Sequence, residues 1–332
     1  VWKVNSMGGT HDTEGDVRFV LSEKMASLKP KGKEPRSIRV LDSWIAHAEN
    51  ELSIGQSGRL AWLIASTVVA AKLQQVIDCA GASRFSLKGG TLLQHRLGLC
   101  ARATKDLDGI VTGDIEDFLA ALDAELMLPW GPLHFARTDA EIIRVPSRIV
   151  KPRRFEMVLS LRGDVWRRIK VEISPDEGQA GSSQEHVAAP KLAGFGLPTP
   201  DYLVGLALSY QIAQKVHAAT EPHDPPMFRN ERPRDVVDLI LLKDLAERTG
   251  SPDVCDIYAA ILDTFFSRGK EAKELGRPVR MWPAQITAYP HWRIDYAAAA
   301  ESAKLDMSLE EAVDAVNRWL AEIEEQAVKN AS

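Results

Sequence analysis

Apolar positions in residues 38–51 and 57–80 recur at helical spacing, and in the second segment Leu60, Leu63, Ile64, Val68 and Leu73 share one side. Arg84-Phe85-Ser86-Leu87 reads as a short strand that ends at a glycine pair. Thr91 to Leu97 then begins a helix that Gly98 stops. Lys105 to Val111 is a second predicted strand. Asp114 is placed to N-cap a helix over Ile115–Leu126, and Asp117 at its third residue suits the positive helix end. Pro129, Gly131 and Pro132 break the pattern. Alternating stretches at 133–137, 141–145, 154–161 and 165–173 predict a strand-rich middle, with Arg162-Gly163-Asp164 as a hairpin turn. In the last stretch Ile169, Val171 and Ile173 face one way, leaving Lys170 and Glu172 on the other face.

Gly178 to Pro200 is rich in Gly, Ser and Pro and reads as a connection. After it the periodicity is helical throughout, at about 201–219, 233–248, 251–267, 289–304 and 308–327. The expected architecture is an α/β lobe over residues 37–190, a mixed sheet with flanking helices, followed by a helical C-terminal lobe over 191–332. Residues 1–36, rich in Gly, Lys and Pro, are expected to be a loose tail, with Met7 as the working start.

Composition narrows the class. Apolar content of 45% and charged content of 26% are ordinary for a soluble globular chain. The longest apolar-leaning stretch, Leu60 to Leu73, carries Ser66, Thr67 and Lys72 and is too short to span a bilayer. No apolar run follows a basic start, so no membrane association and a cytoplasmic location are expected. Cys79, Cys100 and Cys255 are too few and too widely spaced for a disulfide framework or a zinc site. Net charge is −5, yet between Arg144 and Lys170 nine basic residues face two acidic ones. Local charge governs polyanion binding, so Arg144, Arg148, Lys151, Arg153, Arg154, Arg167 and Arg168 are candidate RNA contacts. A solvated strand face accounts for the same pattern.

Two stretches carry the candidate chemistry: Lys88-Gly89-Gly90-Thr91, then Arg102-Ala103-Thr104-Lys105-Asp106-Leu107-Asp108. A glycine pair opening a helix leaves backbone N–H groups open to phosphate oxygens, although a tight turn without a ligand has the same sequence. Thr91 can cap the helix or touch a phosphate. Asp106 and Asp108, two apart on a strand, point to one face and suit magnesium, which binds few carboxylates plus substrate phosphates. Glu172 is the candidate third metal ligand of a two-metal site. A phosphate cradle followed by a magnesium site is what nucleotidyl transfer needs. In the helical half, Lys215 is either a snorkelling side chain or a triphosphate cation. Asp235 and Asp238 share a helix face near its positive end, where plain capping also places them. His217 and His223 show no metal-ligand spacing and read as structural or surface histidines.

The order KGGTLL, RATKDLD, KVEI, QIAQKVHA, RPRDVVDL resembles the AbiEii/AbiGii family of nucleotidyltransferase toxins, which includes the MenT-type toxins. The resemblance implies a nucleotidyltransferase-β fold with a helical C-terminal lobe. It implies Gly89, Gly90 and Thr91 at the nucleotide, with Lys88, Arg102 and Thr104 beside them in the same motifs. It further implies Asp106 and Asp108 on metal, Lys215 on the triphosphate and Asp235 as the helical-lobe acid. Gly109 departs from the pattern, standing where the family usually has an apolar residue. The implied activity is magnesium-dependent transfer of NMP from an NTP to the 3′ end of tRNA, with a cognate antitoxin encoded nearby. Rival readings keep the residues but change the acceptor to a protein or small-molecule hydroxyl, or drop catalysis for a nucleotide-binding interaction module. Thr104, on the strand face of Asp106, is a candidate phosphorylation site, since added negative charge there repels a triphosphate.

Overall fold

The computed structural model describes residues 20–54, 58–98 and 101–331; Met7, Cys100 and the first nineteen residues of the expected tail lie outside them. The elements in chain order are α1 (Val20–Ser27), α2 (Ile38–Glu51), α3 (Arg59–Leu73), β1 (Phe85–Lys88), α4 (Gly89–Leu97), β2 (Asp106–Val111), α5 (Ile115–Leu126), β3 (Leu133–Arg137), β4 (Glu141–Ile142), β5 (Arg153–Leu161), β6 (Asp164–Pro175), β7 (Gln184–Ala188), β8 (Tyr202–Leu206), α6 (Leu208–Ala219), α7 (Pro233–Thr249), α8 (Val254–Glu274), α9 (Arg293–Ser302) and α10 (Leu309–Ala331). Among the described residues the strands form one mixed sheet in the order β3-β5-β6-β2-β1-β8-β7, with β4 paired to β5. The fold is therefore α/β with a run of helices after β8, and no helix among the described residues is long and apolar enough to cross a membrane.

Local chemistry accounts for several boundaries. Asp114 caps α5 by accepting from the Glu116 and Asp117 N–H groups at 2.8 and 3.0 Å. Arg162 and Gly163, both at positive φ, make the two-residue turn between β5 and β6, as the right-handed twist of a hairpin requires. In three places the structure departs from the sequence expectation. Residues 202–206 are a strand, not the start of a helix: β8 pairs in parallel with β1 and antiparallel with β7, itself drawn from the expected connection. Its run Tyr-Leu-Val-Gly-Leu is buried along most of its length, which removes the alternation that marks an exposed strand. The end of the expected loose tail is packed down, with Met25 only 1% exposed. And α3 is buried around most of its surface, Lys72 included, where a single apolar side was expected.

One face of the sheet is core. Leu87, Leu107, Val171 and Ile173 are buried there, and Phe85 stacks on Phe118 of α5 with ring centroids 6.3 Å apart. Gly109 belongs to this face, and a Cβ there would lie 2.0 Å from the Phe85 ring. The departure from the family pattern thus makes room for a neighbouring aromatic ring. Gly109→Ala is expected to destabilise the protein by about 1–3 kcal/mol through overpacking. Gly32→Ala, where nothing lies within 4 Å, is the control and should be near neutral in urea unfolding.

Candidate active site

The opposite face of the sheet collects the candidate chemistry because strand pairing is in register. Lys88 on β1 is opposite Asp108 on β2, and Asp106 and Asp108 are opposite Lys170 and Glu172 on β6. The β1–α4 junction closes over these acids. Gly89 takes φ +64°, and a Cβ on it would lie 2.5 Å from Asp108 Oδ2, so only glycine lets the backbone lie this close to the carboxylate. A Cβ on Gly90 would meet the Thr104 hydroxyl at 3.2 Å and the Arg102 guanidinium at 3.3 Å. The structure therefore brings Lys88, Gly89, Gly90, Arg102, Thr104, Asp106 and Asp108 together. Thr91 is fully buried and donates its hydroxyl to the Asp106 carbonyl at 2.7 Å, so its side chain ties α4 to β2 and does not face a ligand. Thr104, half-buried, donates to the same carbonyl at 3.3 Å.

Glu172 lies on the expected face, opposite Asp108 in register. Among the described residues no group of three or more His, Cys, Asp or Glu side chains is arranged to hold a metal ion. The Glu172 carboxylate is held by Arg154 at 2.7 Å and Lys170 at 3.4 Å, and Lys170 also reaches Asp106 at 3.2 Å. Asp106 and Asp108 remain as a pair. Burial, with the Glu172 and Asp106 charges, pushes the Asp108 carboxyl up to about 6 against the opposing pull of Lys88. A buried carboxyl beside a second carboxylate fits a hard cation that takes two protein carboxylates and draws its other ligands from phosphate and water.

Lys215 and Asp235 sit deeper. Lys215 Nζ donates to Asp235 at 2.8 Å and to Asp238 at 2.6 Å, and Arg102 makes a fork to Asp238 at 2.9 and 3.0 Å. Burial works against the Lys215 ammonium, but the two aspartates outweigh it and raise its pKa. The quartet locks α6 and α7 to the segment that leads into β2. Lys215 also lies within electrostatic reach of Asp108.

A cleft of about 350 Å³ opens from Lys88, Asp108 and Glu172 toward α6 and α8. Its wall contains residues that the sequence reading missed. Glu177, just past β6, accepts from Arg268 at 2.7 Å, Arg148 at 2.6 Å and Gln214 at 2.9 Å. These partners overcome burial and hold its carboxyl well below the usual range. His217 accepts from Arg268 at Nδ1 (2.9 Å), and Arg280 Nη2 lies 2.5 and 2.9 Å from its two ring nitrogens. Burial and the two guanidiniums keep this imidazole neutral. Among the described residues Arg280 has no carboxylate within ion-pair distance, and burial lowers its pKa to about 10. These groups come from five separate segments, and no local pattern around Arg268 or Arg280 distinguishes them from surface arginines.

The basic segment does not form one track. Alternation and folding divide it: Arg148 enters the cleft, Arg153 pairs with Glu116 of α5, and Arg167 pairs with Asp42 of α2. Lys151 donates to the carbonyls of Val145 and Arg148. Arg154 and Arg168 stay on the face of Asp106, paired with Glu172 and Glu156, while Arg144 is exposed.

Residues 73–320 match the nucleotidyl transferase AbiEii toxin family of type IV toxin–antitoxin systems. The chain belongs to that family. Among solved structures it is similar to MenT4, a nucleotidyltransferase toxin from Mycobacterium tuberculosis H37Rv, at 16% identity and a TM-score of 0.37, covering 86% of this chain and 98% of that one. Comparison with curated proteins returns no match. As an AbiEii member the protein is a nucleotidyltransferase, and its family implies an NTP substrate and an antitoxin partner.

The Asp108 shift has a measurable consequence. Its native carboxyl keeps its proton up to about pH 6, whereas the ordinary value is 3.8. Between these values the native state binds more protons, so stability falls as pH rises through that window. In EDTA at pH 7.5, Asp108→Asn should be more stable than wild type by on the order of 2 kcal/mol. The difference should vanish by about pH 4, as read by urea unfolding across pH.

Proposed function

We propose that the protein is a magnesium-dependent toxin that transfers NMP from an NTP to the 3′ end of tRNA in the cytoplasm, releasing pyrophosphate and blocking aminoacylation. The observation that carries this reading is the convergence of Asp106, Asp108, Lys88 and the Gly89 bend at one end of a cation-rich cleft. Asp108 and Lys88 line the cleft, where the triphosphate lies, and the glycine pair offers backbone donors to its oxygens. Asp106, its side chain 42% exposed, faces the open side, where the acceptor approaches. The terminal ribose hydroxyl attacks the α-phosphorus in line: the new O–P bond forms as the bond to the β-phosphate bridge breaks, and pyrophosphate leaves. The hydroxyl proton has a carboxylate acceptor in the Asp106–Asp108 pair. A divalent cation held by these two residues supplies Lewis-acid activation and offsets the triphosphate charge.

Arg154, Arg168 and Lys170 flank Asp106 on the same sheet face and are the acceptor-side contacts that this reading selects from the basic segment. Phosphate contacts of this kind weaken with salt. Thr104 is the regulatory position of the same reading, since a phosphate there would stand against Gly90 and the Asp106 strand.

The test is incubation with total RNA and each labelled NTP separately, with and without magnesium. Label should pass to the tRNA fraction only with magnesium, and Asp106→Ala should abolish both transfer and growth inhibition while the protein stays folded. Label on protein, or a fully active Asp106→Ala, refutes the assignment. Replacing Arg154, Arg168 and Lys170 together by Ala should raise the KM for RNA and flatten its salt dependence by about one unit of slope per lost phosphate contact. The KM for NTP should stay unchanged.

A further inference from the structure

The helix α6 gives the cleft a direction. Gln211 Nε2 donates to the Gly89 carbonyl at 3.1 Å, Gln214 reaches Glu177, His217 holds Arg268 and Arg280, and Glu221 lines the cleft just past the helix end. At about 1.5 Å per residue, the eight residues from Gln211 to Ala219 carry the cleft roughly 12 Å from the glycine pair, and the chain runs on past the helix end to Glu221. That is a length an extended nucleoside triphosphate spans. Beyond Glu221 the wall includes Pro222, Phe228, Arg277 and Pro278.

Phe228 is the one benzene ring among the lining residues, and the Arg277 guanidinium lies over it with its centre 5.7 Å from the ring centroid. The backbone that carries the ring is pinned. Asp224 N–H donates to the Phe228 carbonyl at 2.7 Å, and Phe228 N–H donates back to the Asp224 carbonyl at 2.8 Å. Two residues on, the fully buried Asn230 anchors this turn to the end of α6: its amide donates to the Ala219 and Glu221 carbonyls at 3.1 and 2.5 Å. The Asn230 carbonyl accepts from Trp292 Nε1 at 2.9 Å. A half-buried aromatic ring on a pinned turn, backed by a guanidinium plane, is the arrangement that takes the flat face of a nucleobase.

We infer that Phe228, backed by Arg277, is the platform on which the base of the incoming nucleoside triphosphate stacks. This inference rests on the reading of the cleft as the nucleotide site. With the triphosphate at Lys88, Gly89 and Asp108, the ribose lies along the middle of α6 and the base reaches the far wall. Every base has a π-face, so the platform fixes the position of the nucleotide without choosing strongly among the four bases. Phe228 is a positioning residue, remote from the reacting atoms.

The experiment compares binding of a nucleoside triphosphate with binding of inorganic tripolyphosphate, which has the phosphates but no base, using calorimetry on the full chain. Wild type should bind both. Phe228→Ala should weaken binding of the nucleoside triphosphates about tenfold or more, the scale of one lost base stack, and leave tripolyphosphate binding unchanged. Phe228→Trp should restore binding. In turnover, Phe228→Ala should raise the KM for NTP with kcat nearly retained. Phe228→Ala that binds nucleoside triphosphates as wild type does, or that loses tripolyphosphate equally, overturns the platform while leaving transfer through Asp106 and Asp108 standing. A wild-type protein that binds neither probe overturns the cleft reading itself and the platform with it.

Discussion

The register of three strands decides where every charge in the site goes. Side chains on a strand alternate, so pairing Lys88 with Asp108, and Asp108 with Glu172, puts all three on the face opposite Leu107 and Val171. A slip of one residue on β2 would send both aspartates into the core and bring Leu107 to the cleft. Burying unpaired carboxylates costs several kcal/mol each, which makes that alternative register untenable. Gly109 strengthens the choice, because Phe85 fits against β2 only where no side chain intervenes. A residue without chemistry thereby helps to fix the position of two that have it.

The second constraint is the buried quartet of Arg102, Lys215, Asp235 and Asp238. Two cations and two anions cancel, so the group can be buried, and the fork from Arg102 to Asp238 sets its geometry. It joins the segment before β2 to two helices more than a hundred residues later in the chain, which orients α6 along the cleft. Removing one member leaves a buried charge uncompensated, at a cost of about 3–5 kcal/mol. Lys215 therefore serves the fold whatever else it contacts.

Much of the sheet was legible in the sequence because its signals are local. The Asp114 cap, the Arg162-Gly163 turn, and the alternation of Ile169, Val171 and Ile173 all follow from neighbours a few residues apart. The arginine-rich stretch misled because linear density of charge says nothing about faces. Arg153 and Arg167 pair with helices, while Arg154 and Arg168 stay beside Asp106. β8 escaped because a strand covered on both sides loses its alternation. The wall built from Glu177, His217, Arg268 and Arg280 lay beyond reach for a different reason. Its members are brought together only by tertiary packing, and each looks ordinary in its own segment.

Within the cleft the Glu177–Arg268 pair is stabilised in its charged form, but four other groups shift the opposite way. Burial raises the Asp108 carboxyl, lowers the Lys88 ammonium, lowers the Arg280 guanidinium and keeps His217 neutral. Each shift moves a group toward its uncharged form, the mark of a site that has lost water without gaining full compensation. The quartet shows that this chain can satisfy buried charges completely when only the fold is at stake. Around Asp108 it leaves the balance open. On the proposed reading a cation-bridged triphosphate would answer both deficits, its metal at Asp108 and its phosphate oxygens at Lys88. Buried, uncompensated groups of both signs, which one such ligand would relieve together, support the proposed activity.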